Sequence, residues 1–114
     1  MRDYCIRETY TIKETIERFE SANDRVAIVV NNEDKVVGVV SQGDILRALS
    51  SGVNMYTQIN QIISNSFLHL YEKDMEMAVN IFKMKKITLL PVIDSDNKLV
   101  DSITLDDIFN YLEK

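Results

Sequence analysis

Apolar positions along this chain follow a recurring order of rhythms. Ile12, Ile16 and Phe19 stand at helical spacing, and Thr11 with Glu14 has the spacing of a capping box. Residues 26–30 are apolar throughout and rich in Val and Ile, as a buried strand requires. Residues 31–34 predict a turn, because Asn and Asp tolerate the left-handed region and bond their own backbone. Residues 36–40 predict the returning strand of a hairpin, and Ile45, Leu46 and Leu49 follow at helical spacing. The order then comes back: a helix over 74–85, a strand over 89–93, a turn over 94–97, a strand over 99–103, and a helix carrying Ile108, Phe109 and Leu112. Short strands are expected ahead of each first helix, at 4–6 and 67–70. The linker, 51–64, opens on Ser51-Gly52 and then sets Ile59, Ile62 and Ile63 at helical spacing, which predicts a short bridging helix.

The two halves superpose without a gap at an offset of 63 positions, residues 11–51 falling on 74–114. Phe19 meets Phe82, Val29 meets Val92, Lys35 meets Lys98, Val37 meets Val100, Asp44 meets Asp107, Ile45 meets Ile108 and Leu49 meets Leu112. The apolar pattern matches nearly throughout, which carries more weight than the identities. Each half, at roughly fifty residues, buries too little apolar surface to stand alone. The expected fold is therefore α/β: two β-α-β-β-α repeats, 1–56 and 57–114, related by a pseudo-twofold axis and sharing one core.

Composition narrows the function. With 46% hydrophobic residues in 114, the chain needs no disulfide or metal staple. Its one cysteine, Cys5, excludes an internal disulfide, and its one histidine, His69, excludes a His-rich metal site. No apolar run is long enough to span a membrane, and 1–10 does not read as a secretory signal. A net charge of −5 is unfavourable beside a phosphate backbone, so no nucleic-acid partner is expected. There is no Gly-rich phosphate loop and no Ser/His/Asp set, so the segment itself is not expected to be an enzyme. A cytoplasmic location is the default expectation.

The motifs that carry a resemblance are Gly38-Val39-Val40-Ser41-Gln42-Gly43-Asp44-Ile45, Leu89-Leu90-Pro91-Val92-Ile93-Asp94 and Ile103-Thr104-Leu105-Asp106-Asp107-Ile108. Together they resemble a tandem pair of CBS domains, the module named after cystathionine beta-synthase, over nearly the whole chain. Asp101 and Ser102 depart from the usual Gly and apolar residue, and Ile28 stands where the second repeat has Pro91. The resemblance implies a regulatory module that binds an adenine nucleotide (AMP, ADP or ATP) in clefts between the repeats, and a homodimer through a second CBS pair. A narrower resemblance, through Gly43-Asp44-Ile45 and Arg47, is to CBS pairs N-terminal to sugar-phosphate nucleotidyltransferases. It implies a downstream catalytic domain, as does an end within a few residues of the last repeat helix. The alternative from another class is a ligand-free structural module that dimerises a neighbouring domain.

Spacing alone makes Ser41-x-x-Asp44 and Thr104-x-x-Asp107 capping boxes. A helix N-terminus also suits a phosphate, and a carboxylate beside it can accept both ribose hydroxyls. By the resemblance, the preferred nucleotide site holds Ser41, Asp44 and Arg25, with Ile87 and Leu89 against the adenine. The second cleft holds Thr104, Asp107, Val26 and Thr88, with Asp24 an unhelpful acid and Thr88 lacking the charge of Arg25. Arg47 and Lys86 are further positive charges without an assigned place.

Overall fold

The first helix begins where a hydroxyl and a carboxylate answer each other. In the computed structural model, which describes residues 4–64 and 66–113, Thr11 Oγ1 accepts from the Glu14 N–H at 3.0 Å. The Thr11 N–H donates in return to Glu14 Oε1 at 2.9 Å. The helix α1, Ile12–Ala22, buries Ile12, Thr15 and Phe19, and Asn23 ends it in the left-handed region at φ 55°. The Thr15 hydroxyl avoids an unmet buried group by donating to the Thr11 carbonyl at 2.9 Å.

β2, Val26–Val30, and β3, Val36–Ser41, form the expected antiparallel hairpin. Its turn works as the residue types predict: Asn31 Oδ1 accepts from the N–H groups of Glu33 and Lys35, and Asp34 takes φ 63°. β1, Cys5–Arg7, lies parallel to β2, giving the order β1-β2-β3. α2, Gln42–Ser50, follows β3 directly. The core of this unit gathers Ile6, Phe19, Val29, Val40, Ile45 and Ile59.

The chain divides into two units, Met1–Phe67 and Leu68–Lys114. The linker bonds to the first of them: Ile12 N–H to Thr57 O and Lys13 N–H to Met55 O, both 2.9 Å, and Ile59 N–H to Tyr10 O at 2.7 Å. The expected bridging helix is a single 3-10 turn, Ile59–Gln61, with Ile59 fully buried. Its Ile59 and Asn60 N–H groups are drawn to the carbonyls of Tyr10 and Glu8.

The second unit repeats the devices. α3, Met75–Lys85, is capped by Asp74, whose side chain accepts from the Met77 N–H, and ends at Lys86 with φ 52°. β4, Leu89–Ile93, pairs antiparallel with β5, Leu99–Thr104, and α4, Leu105–Leu112, follows without a loop. In the turn, Asp94 Oδ1 accepts from Asp96 and Lys98, and Asn97 takes φ 65°. Ala78, Phe82, Leu90, Val92, Ile103 and Ile108 form this core. The result is the expected α/β pair of strand-and-helix repeats. Among the described residues no helix is long and apolar enough to cross a membrane.

Two departures have physical causes. The strand expected at 67–70 reduces to one parallel bridge, Leu70 to Val92. In the first unit the Ile28 N–H donates to Tyr4 O at 2.6 Å and extends the parallel ladder. The second unit has Pro91 at the position matching Ile28, and proline has no N–H to give to Leu68. The second departure is Asp101, which stands where the first repeat has Gly38. A Cβ on Gly38 would lie 3.0 Å from Ile63 Cδ1 and 3.3 Å from Ser64 O, so a side chain there would crowd the linker. Asp101 instead carries a half-exposed carboxylate that pairs with Lys73 at 3.2 Å.

Gly38→Val is therefore expected to lower stability by about 1–3 kcal/mol through overpacking against the linker. Urea unfolding measures this, and an unchanged midpoint would show that the linker can move aside at no cost.

Candidate functional site

Ser41 is both the last residue of β3 and the N-cap of α2. Its Oγ accepts from the Asp44 N–H at 3.2 Å, and its own N–H donates to Asp44 Oδ2 at 2.9 Å. The first helical N–H, of Gln42, donates to the Arg25 carbonyl at 2.9 Å. Val26, the next residue, faces Ser41 across the sheet. The unit thus brings together Arg25, Val26, Ser41 and Asp44 at one end of the hairpin. The Arg25 side chain is exposed, and Ser41 and Asp44 are half-buried.

The structure also places Arg47. Its Nη2 donates to Asp44 Oδ1 at 2.6 Å, an (i, i+3) ion pair with side chains 73% and 42% exposed. At that exposure the pair contributes at most about 1 kcal/mol. The guanidinium lies over Gly43: a Cβ there would be 3.3 Å from Arg47 Nη1 and 3.6 Å from Ser41 Oγ. The signal in the sequence was the spacing of Asp44 and Arg47, which puts them on neighbouring turns of one helix face.

The second unit builds the same frame with different charges. Thr104 Oγ1 accepts from the Asp107 N–H at 3.2 Å, and the Thr104 N–H donates to Asp107 Oδ2 at 2.9 Å. The Leu105 N–H donates to the Thr88 carbonyl at 3.2 Å, and Leu89 faces Thr104. Ile87 packs against the core of this unit, and Leu89 is buried. Where the first unit has Gly43 and Arg47, this one has Asp106 and Asn110. At the amino end of α2 the backbone of Arg25 meets Gln42, and Arg47 reaches back from the last turn of the helix to Asp44. The amino end of α4 carries Asp106 and Asp107 and, from the matching positions, no cation.

The remaining candidates are placed elsewhere. Lys86 is the left-handed C-cap of α3. His69 meets Tyr71 edge-on, with centroids 5.1 Å apart, and Cys5 is buried in β1. Among the described residues no group of His, Cys, Asp and Glu has the makings of a metal site.

Comparison with known proteins gives a consistent result. The sequence profile of the CBS domain matches residues 1–51 and 62–114. A homoserine O-acetyltransferase of Methanosarcina acetivorans is 28% identical over 113 aligned positions, covering 93% of this chain and 20% of that protein. The chain thus spans about a fifth of the length of that relative. A CBS domain protein from Pyrobaculum aerophilum complexed with AMP has the same fold, with a TM-score of 0.77, 21% identity, and coverage of 96% of this chain and 89% of that one. The CBS domain pair of protein MJ0100, in complex with 5-methylthioadenosine and S-adenosyl-L-methionine, gives a TM-score of 0.79, 19% identity, and coverage of 99% and 90%.

The two reciprocal boxes are structural whatever else they do. Ser41→Ala and Thr104→Ala are each expected to cost about 1 kcal/mol of stability in the absence of any ligand. Thermal or urea unfolding tests this, and a loss well under half that value would mean the backbone turn holds without its cap.

Proposed function

The chain belongs to the CBS domain family, and on that premise we propose that it is the adenine-nucleotide-sensing regulatory module of a longer protein. The carrying observation is the amino end of α2, where the Ser41/Asp44 box, the Arg47 guanidinium bonded to Asp44 and the backbone of Arg25 meet at a helix terminus whose dipole also favours an anion. The Ser41 hydroxyl serves the phosphate, the Gln42 and Asp44 N–H groups being engaged by the Arg25 carbonyl and Ser41 Oγ. Asp44 serves the ribose diol, since a carboxylate offers about four lone-pair sites and the box and Arg47 use only part of them. AMP, ADP and ATP all present this chemistry. The AMP, 5-methylthioadenosine and S-adenosylmethionine held by neighbours of the same fold support an adenosine ligand. The Thr104/Asp107 end takes a nucleotide less well, because Asp106 adds an acid where Gly43 stands and Thr88 replaces Arg25.

The segment itself is non-catalytic in this reading, cytoplasmic, and regulates a catalytic domain on the same chain. The sequence resemblance favours a sugar-phosphate nucleotidyltransferase for that domain, whereas the curated relatives support a homoserine O-acetyltransferase. A homodimer through a second CBS pair is supported by the exposed stripe Leu105, Phe109 and Leu112 along α4, 36%, 55% and 57% exposed. Light scattering is expected to read twice the chain mass, and a monomer at every concentration would remove the dimer.

A structural module without ligand is the second reading, favoured by one observation: the Ser41/Asp44 box makes both of its reciprocal bonds with protein groups alone. Calorimetry decides. Asp44→Ala is expected to lose about ten- to a hundredfold in affinity for AMP or ATP, the worth of a hydrogen bond to a charged group, with Asp107→Ala affected less. AMP at about 100 times its Kd adds roughly 2.7 kcal/mol and raises the melting temperature by several degrees. The reverse order of the two variants overturns the ranking of the ends. Wild type that binds neither nucleotide leaves the structural reading in its place.

A further inference from the structure

Resting on the homodimer of the proposed function, we infer that a second copy of this chain seats on the second unit, with α3 antiparallel to the partner's α3 across a two-fold axis. Met77, Ile81 and Met84 stand at i, i+4 and i+7, one stripe along α3. Ile81 leans on the core of its own unit, whereas Met77 and Met84 are 50% and 77% exposed. α3 packs beside α4, where Leu105, Phe109 and Leu112 repeat the same spacing in the open. Two neighbouring helices that each expose an apolar stripe mark an interaction surface, unlike apolar residues scattered singly. Methionine suits such a surface, because its unbranched side chain adapts to what it meets.

Charge decides what covers it. Glu76 and Lys83 each precede a methionine of the stripe, so they line one flank of it, seven residues apart. Both are exposed, and neither has an ion-pair partner among the described residues. The helix dipole favours this polarity within one chain; the flank shared with the methionines is what turns it toward a partner. In an isologous contact, a two-fold axis passing near Asn80 sets Met77 against the partner's Met84 and Glu76 against the partner's Lys83, each twice. Parallel helices would set like charges together. The face therefore complements its own copy. The first unit offers no such face. Glu14, Arg18 and Ser21 stand at the positions matching Met77, Ile81 and Met84, and they line an open polar groove on α1. Seating that groove on the methionine stripe would strip water from its charges without pairing them. α2 keeps Leu46 at the place of Phe109, with no stripe on α1 to join it.

The test is sedimentation equilibrium on the full chain at low ionic strength, without ligand. Met84→Glu is expected to raise the dimer dissociation constant about tenfold or more, because the two-fold axis counts the change twice. Met84 is exposed enough for the fold to stand, which far-UV circular dichroism checks. Ser21→Glu, the matching change on α1, is expected to leave the constant where it is. Glu76→Lys weakens the dimer several-fold, and adding Lys83→Glu to it restores the wild-type value, since both pairs then form with signs exchanged. A dimer that survives Met84→Glu, or that yields equally to Ser21→Glu, overturns the seat on the second unit and leaves the homodimer standing. A double variant as weak as Glu76→Lys alone overturns the antiparallel pairing. A wild type that stays monomeric at every concentration overturns this inference and the homodimer together.

Discussion

Each repeat depends on a strand that becomes a helix with no residue in between. Ser41 closes β3 and caps α2, and Thr104 closes β5 and caps α4. A loop would leave the helix direction loosely set; the reciprocal pair of hydroxyl and carboxylate bonds fixes it over a single turn. The next donor is fixed as well, since Gln42 and Leu105 bond the carbonyls of Arg25 and Thr88, just ahead of the neighbouring strands. With the helix so aimed, Ile45 and Ile108 arrive in their cores. The same geometry leaves the helix amino end, and whatever charges surround it, at the edge of the hairpin.

The repeats share this frame and differ where their surroundings differ. Gly38 lies close under the linker, whereas Asp101 at the matching position carries a charge that pairs with Lys73. Ile28 supplies an N–H that Pro91 cannot, and one unit has a three-residue strand where the other has a bridge. The exchange of Gly43 for Asp106 and Arg47 for Asn110 adds an acid and removes a cation while leaving the cap intact. A cap tolerates this because its bonds run between the hydroxyl, the third residue and the backbone. The second and sixth helical positions take no part in it.

Much of this was legible in the residues. Hairpins, turns and capping boxes are local, and Asn31, Asp94, Thr11 and Ser41 bond within a few positions of themselves. At 67–70 apolar character says where a strand would be buried, whereas the missing donor of Pro91 limits the pairing to the Leu70–Val92 bridge. In the linker Ile59, Ile62 and Ile63 carry the spacing of a helix, yet only the single turn Ile59–Gln61 forms. Its attachment through Tyr10 and Glu8 is a long-range fact that spacing does not hold. Arg25 stands just ahead of β2, and its carbonyl accepts from the Gln42 N–H. Arg47 had no place because an exposed arginine on a helix can point anywhere until a neighbour without a side chain, Gly43, opens one direction.

Capping and binding are often set against each other as readings of a hydroxyl and a carboxylate at a helix start. Here the energies make them compatible. The box contributes about 1 kcal/mol per cap and draws on one lone pair of Ser41, one of Asp44 and their two N–H groups. A ligand needs none of these. In the proposed reading it takes the lone pairs of the carboxylate that the box leaves unused. The Arg47 pair is exposed and weak enough for the guanidinium to shift its donors without disturbing the helix. A site of this kind is preorganised by bonds that stability already requires, so ordering it for a ligand adds little entropic cost. The fold holds the carboxylate still, and only the arginine is left to move.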